Sequence, residues 1–183
     1  MPFDRETMKA KAAQLAAKGV FIGTSSWKYE GWLNQLYTPA RYEYRGKVAT
    51  KRFERDCLSE FAEVFKTVCV DAAYYTFPSQ QYLEGMVNQT PEDFLFGLKV
   101  TDAIRIKKYP KLARFGDQAG KANENYLNAE LFVKAFLKPC EAVRSNVGLL
   151  VFEFSRFWPS DYEGDRTGIQ SKKLGCCLAT WFE

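Results

Sequence analysis

Three side chains stand where strand-like runs end, and their types suit shared chemistry: Asp71, Lys99 and Glu153. Asp71 follows Thr67-Val68-Cys69-Val70, Lys99 follows Phe94-Leu95-Phe96-Gly97-Leu98, and Glu153 follows Val147-Gly148-Leu149-Leu150-Val151-Phe152. Successive side chains of a strand point to opposite faces. If Val68, Val70, Phe96, Leu98 and Val100 pack against helices, then Cys69, Asp71, Gly97, Lys99 and Thr101 face the other way. The same rule turns Leu149, Val151, Glu153 and Ser155 to that side, with Ser25 on an earlier run. Two carboxylates around one amine would hold a divalent cation, a substrate amine or a proton-transfer pair. A carboxylate- or metal-dependent enzyme of phosphodiesterase or isomerase type would use them so. The competing reading is a buried ion-pair network that fills the interior.

A second set of residues suits anion binding. The loop after the first run carries Arg41, Arg45, Lys47, Lys51, Arg52 and Arg55, and a later loop carries Arg105, Lys107, Lys108, Lys111, Arg114 and Lys121. Tyr42, Tyr44, Tyr109 and Phe115 are interleaved with them. Basic side chains among aromatic rings suit phosphate contacts with base stacking. The expected ligand-binding rim combines Ser25, Trp27, Tyr29, Trp32, Arg45, Lys47, Tyr74, Tyr75, Arg105, Lys107, Lys108 and Arg156. Its expected partner is a phosphorylated ligand or a nucleic acid.

Composition removes several classes of chemistry. The chain contains no histidine, which excludes Ser-His-Asp and Cys-His nucleophile systems and His-ligated zinc or iron. Five cysteines make no C-x-x-C pair, so reduced, mostly buried thiols are expected instead of a disulfide framework or zinc ribbon. The net charge of +4 is too mild to imply a polyanion by itself. No run approaches the roughly 18 apolar residues of a membrane span. Residues 1–19 read as a short amphipathic helix ended by Gly19, without the apolar stretch of a secretory signal. A cytoplasmic protein is expected.

The elements that must position these residues alternate in type. Apolar β-type runs at Val20–Thr24, Thr67–Ala72, Phe94–Val100 and Val147–Phe154 are separated by helical patterns. Helices are expected over Thr50–Val64, Ser79–Val87 and Asn128–Leu137, the last closed by Pro139. Alternating βα units argue for an α/β fold with a parallel sheet. Four units are half of an eight-strand barrel. Residues 20–162 form the expected domain, and residues 163–183 read as an unrelated tail, so truncation is expected. A half barrel would present open edges and self-associate, or be inactive.

These motifs resemble a known family. Ile22-Gly23-Thr24-Ser25-Ser26-Trp27, Gly31-Trp32 and Leu36-Tyr37-Thr38-Pro39 are similar to the opening of the YecE-like proteins, domain-of-unknown-function family seventy-two. Phe65–Asp71 with Tyr74-Tyr75-Thr76-Phe77-Pro78, and Thr90–Val100, resemble its second and third motifs. Asp71 stands where that family commonly has Glu, and Glu153 lies near a common Gln. The resemblance covers the N-terminal portion of the family only. It implies a TIM-barrel-like fold of which four of eight βα units are present, and a biochemical role that is not established.

Overall fold

A computed structural model of the chain describes residues 3–154. Helix α1 (Arg5–Ala16) starts at Asp4, whose carboxylate accepts from Thr7 N. It closes as a Schellman turn: Gly19 N donates to Ala16 O at 2.9 Å and Val20 N to Leu15 O at 3.0 Å. Gly19 takes φ +77°, which glycine adopts without a Cβ clash. Only Ala12 of α1 is buried, so the helix lacks the amphipathic face expected of it.

A short α2 (Pro39–Tyr42) leads into a hairpin of β1 (Glu43–Tyr44) and β2 (Lys47–Val48). Its two loop residues, Arg45 and Gly46, both have positive φ, the pattern that matches strand twist in two-residue hairpins. Helix α3 (Thr50–Ala62) then buries Phe53, Cys57, Leu58 and Phe61, a spacing that forms one helical face. Strand β3 (Thr67–Val70), α4 (Ala72–Tyr75), α5 (Gln80–Val87), β4 (Leu95–Lys99) and α6 (Asp102–Arg105) follow. Ser79 caps α5 through Tyr82 N, as expected.

The last helix runs on where proline was expected to end it. It comprises α7 (Ala129–Phe132), a π turn over Val133–Leu137, and α8 (Lys138–Cys140). The wider turn hands Lys138 N to Val133 O and places Pro139 in a new first turn, where no N–H is needed. Strand β5 (Val147–Val151) ends the order.

The fold is mixed α/β. Strands β3, β4 and β5 form a parallel sheet in that order, with Val70 opposite Leu98 and Lys99 opposite Val151. Val68, Val70, Phe96 and Leu98 are buried against the helices, at 0–2% exposure. The first expected strand is not one. Among the described residues, Val20–Thr24 forms no ladder, and meets β3 where Cys69 N donates to Thr24 O at 2.9 Å. Gly23 allows that approach, since a Cβ there would stand 1.9 Å from Thr67 O. Val20, Phe21 and Ile22 stay 43–49% exposed, so little burial drives them into a strand.

Beneath the loop after this segment lies an edge-to-face aromatic cluster, with Tyr37 and Tyr42 each 5.1 Å from Phe53. Burial pushes the thiols of Cys57 and Cys140 up to about 12, so both are inert core groups, and Cys69 is also a free thiol. Cys176, Cys177 and the tail expected over residues 163–183 lie outside the described residues. Among the described residues no helix is long and apolar enough to cross a membrane.

Candidate functional site at the strand ends

Register explains why three residues distant in sequence meet. Thr67 pairs with Leu95 and Val70 with Leu98, so the next step along both strands sets Asp71 beside Lys99. Lys99 pairs with Val151, and Glu153 lies two residues on, on the same face. Lys99 Nζ is 2.9 Å from Asp71 Oδ1 and 3.2 Å from Glu153 Oε2. The contact with Asp71 is an ion pair approached off the hydrogen-bonding direction, which leaves the buried Oδ1 without a directed hydrogen bond. The Asp71 carboxylate raises the Lys99 ammonium above its ordinary value; burial opposes this and Glu153 adds to it. Lys99 is therefore a fixed cation, unsuited to act as a neutral amine base or nucleophile. It occupies the position between the carboxylates that a metal would take. Among the described residues no group of three or more Cys, Asp or Glu side chains gathers to hold a metal.

The sign of this shift gives a test. A lysine raised on folding contributes stability that is full below its unfolded value and is lost as pH rises through the folded one. The stability gap between the wild type and Lys99→Met is expected to narrow between about pH 9 and about pH 12 in urea unfolding. A constant gap across that range would show that the ion pairs do not stabilise the fold.

Next to the trio, Tyr74 is surrounded by cations. Its ring centre is 3.9 Å from the Arg105 guanidinium, 5.7 Å from that of Arg114 and 5.8 Å from Lys99 Nζ. Asp102 joins the two arginines: Arg105 Nη2 donates to Oδ1, and Arg114 Nη1 lies 2.9 Å from Oδ2. Arg105 also donates through Nη1 to Glu153 O, tying α6 to the end of β5. Burial raises the Asp102 carboxyl above its ordinary value, against the pull of Arg105 and Arg114.

Arg114 comes from an arm, residues 107–123, that folds back on itself. Tyr109 N donates to Lys121 O, Gly120 N to Tyr109 O and Asn123 N to Lys107 O, each at 2.9 Å. The buried Asn123 amide anchors its base by donating to Ala103 O at 2.8 Å and Ile106 O at 2.7 Å. Between the arm and the segments that follow β3 and β4 lies an open groove of about 530 Å³, lined by Tyr75, Phe77, Thr101, Asp102, Tyr109, Arg114 and Phe115 among others. In it the Arg114 guanidinium is 4.3 Å from the Phe115 ring and 5.3 Å from Tyr75, with 37% of its side chain exposed.

Among the described residues, those of the expected rim differ in burial. Tyr74 and Tyr75 do lie at the strand ends, on α4. Arg105 is 1% exposed, so it is a buried structural cation and not a rim contact. Its carbonyl and carboxylate partners outbid solvent because α6 turns it inward. Trp27 is buried, with Lys28 Nζ 5.4 Å from its ring centre, whereas Ser25 and Tyr29 are exposed and Trp32 is half-buried, 4.7 Å from the Tyr29 ring. Arg45 and Lys47 stand on the exposed hairpin, where Arg45 covers Tyr44 at 5.2 Å. Lys107 is half-buried and Lys108 exposed at the base of the arm; Arg156 lies outside the described residues. Asp102 was not among the expected site residues, and Arg114 was expected only as one of the basic residues of its loop that suit anion binding. The i, i+3 spacing of Asp102 and Arg105 was the available signal for the first. Nothing local distinguished Arg114 from its basic neighbours.

A family model described as a protein of unknown function, DUF72, matches residues 21–170. The chain belongs to the DUF72 family. That agrees with the YecE-like resemblance of its motifs. Two crystal structures of a DUF72 family protein from Enterococcus faecalis V583 are similar to it. One is 21% identical with a TM-score of 0.42, covering 69% of this chain and 40% of that one. The other is 23% identical with a TM-score of 0.45, covering 69% and 43%. This DUF72 chain thus spans less than half the length of those proteins. No curated protein matches it.

Proposed function

We propose that this chain binds a phosphate-bearing ligand with a planar ring, of the nucleotide class, in the groove beside Arg114. The observation that carries the reading is the setting of that guanidinium: partly exposed, held by Asp102 at 2.9 Å, and flanked by Phe115 and Tyr75. A phosphate would meet the guanidinium, and a base would stack on the rings. The groove opens after β3 and β4, and in parallel α/β sheets ligands bind beyond the carboxyl ends of the strands. The sequential parallel order of β3, β4 and β5, with helices between them, supports a TIM-barrel-like wall, whose loops on that face carry the sites of barrel enzymes.

Titration with AMP and with a short single-stranded oligo(dT), followed by calorimetry, tests this. Affinity is expected to fall as salt rises from about 50 to about 200 mM. Arg114→Ala is expected to weaken binding by roughly tenfold or more, the value of a hydrogen bond to a charged group. Affinity that is flat with salt and unchanged in Arg114→Ala would overturn the proposal.

A further inference from the structure

Beside the groove, the arm carries charge that the fold does not neutralise. Residues 107–123 hold five lysines and arginines against one acidic residue, Asp117. Lys108, Lys111 and Lys121 are exposed, and none forms a salt bridge with another described residue. The basic stretch over residues 41–55 differs, since Arg41 pairs with Glu60 and Glu63 and Arg55 with Asp56. Cations held together without counter-charges attract a polyanion, whose own counterions are released on binding.

The backbone of the arm decides which of these cations flank the groove. Lys108 stands opposite Ala122 in an antiparallel bridge, and both are exposed. Side chains alternate along such a pair, so the adjoining residues, Tyr109 and Lys121, point to the other face. Tyr109 lines the groove, which puts Lys121 on the groove side. Tyr109 N donates to Lys121 O and Gly120 N donates to Tyr109 O, both at 2.9 Å. Two residues thus oppose one, a bulge with its glycine at φ +77°. The stem of Lys111 lies over this glycine, 3.4 Å from where a Cβ would stand. Lys111 and Lys121 are thereby gathered at one glycine, close to the aromatic pair of Tyr109 and Phe115, whose ring centres are 5.2 Å apart.

We propose that the ligand of the groove is one nucleotide of a single-stranded nucleic acid, whose neighbouring phosphates are held by Lys111 and Lys121. The proposal rests on the reading of the groove given above and names its partner. Arg114 meets one phosphate, and the two lysines meet those beside it. A free nucleotide would leave both lysines unused. A duplex keeps its base faces inside its own stack, whereas stacking on Tyr75, Tyr109 and Phe115 needs a base that is open. An anionic lipid surface is the other polyanion that lysines recruit. It needs apolar side chains on the same face. Among the described residues, Leu112 alone of the arm's large apolar side chains is that open, at 51% exposure, while Tyr109 and Phe115 line the groove.

The experiment compares the binding of dTMP with that of a single-stranded oligo(dT) of about eight nucleotides by calorimetry, using the full chain. The oligonucleotide is expected to bind at least about tenfold more tightly, the value of further charged contacts. Raising salt from about 50 to about 200 mM is expected to cost it roughly sevenfold more affinity than it costs dTMP, the effect of two additional phosphate contacts on a single strand. The variant Lys111→Gln/Lys121→Gln is expected to remove both differences and to leave dTMP binding unchanged. Both side chains are exposed, so it is expected to fold, with circular dichroism as the check.

The inference is overturned if the oligonucleotide binds no more tightly than dTMP, or if the folded double variant binds it like the wild type. A duplex of the same length that binds equally well also overturns it, as does binding to phosphatidylserine vesicles in place of the oligonucleotide. Where dTMP binding stays dependent on Arg114 through these failures, the groove reading stands and the strand alone is lost. Where dTMP and the oligonucleotide both fail to bind, the two readings fall together.

Discussion

Arg105→Met is expected to lower the unfolding free energy by about 3 kcal/mol, the value for breaking a buried ion pair by removing one member. Arg105 is 1% exposed, and its removal leaves the Asp102 carboxylate, 8% exposed, with Arg114 as its remaining cation. Glu153 O also loses its donor, so the end of β5 is released from α6. The ring of Tyr74 loses the nearest of the three cations that surround it among the described residues. Urea unfolding measures the loss. The double variant Arg105→Met/Asp102→Leu is expected to recover most of it, because no uncompensated charge is left behind. A single variant within about 1 kcal/mol of the wild type, or a double variant as unstable as the single, would show that this network does not hold the strand ends together.

Glu60→Leu carries the second large effect. Glu60 is 1% exposed on α3, yet its carboxylate is satisfied throughout. Thr38 N donates to Oε1 at 3.0 Å, Thr38 Oγ1 to Oε1 at 2.6 Å, and Tyr42 Oη to Oε2 at 2.9 Å. Arg41 Nε adds an ion pair at 3.9 Å from the exposed side. Leucine fills the volume but leaves the Tyr42 hydroxyl and the Thr38 amide without their acceptor. Two such orphans together cost roughly 3 kcal/mol. Since Tyr42 packs on Phe53 and Tyr37, the loss spreads through the aromatic cluster beneath the loop. Thermal unfolding of Glu60→Leu beside Tyr42→Phe checks it. Tyr42→Phe removes one bond and is expected to lose only about 1 kcal/mol. Equal effects from both variants would contradict the clamp.

Much of the fold could be read from local pattern. Phe53, Cys57, Leu58 and Phe61 recur at helical spacing, and the core holds that face, so α3 was legible to within two residues. Ser79 before an apolar helix was legible as a cap for the same reason: a hydroxyl and an amide three residues apart need no distant partner. Val20–Thr24 was misread because composition reports a tendency to extend and not whether a neighbouring strand and a covering layer exist. Pro139 was misread because a π turn upstream, which the helix can adopt only when packed, gave the ring room. At the candidate site, Tyr75 was legible as a residue after a strand, whereas Arg114 lay among five other basic residues of one loop.

The amino-acid sequence by itself determined which side of the sheet Asp71, Lys99 and Glu153 occupy, since alternation has a period of two and needs no tertiary information. It also determined that this chain contributes no histidine side chain. Only the tertiary structure decided that Lys99 lies between both carboxylates, because that depends on the register of β3 and β5 against β4. It alone decided that Arg105 is buried while Arg114 faces a groove. Two arginines in one basic loop are alike until packing takes water from one and leaves it to the other.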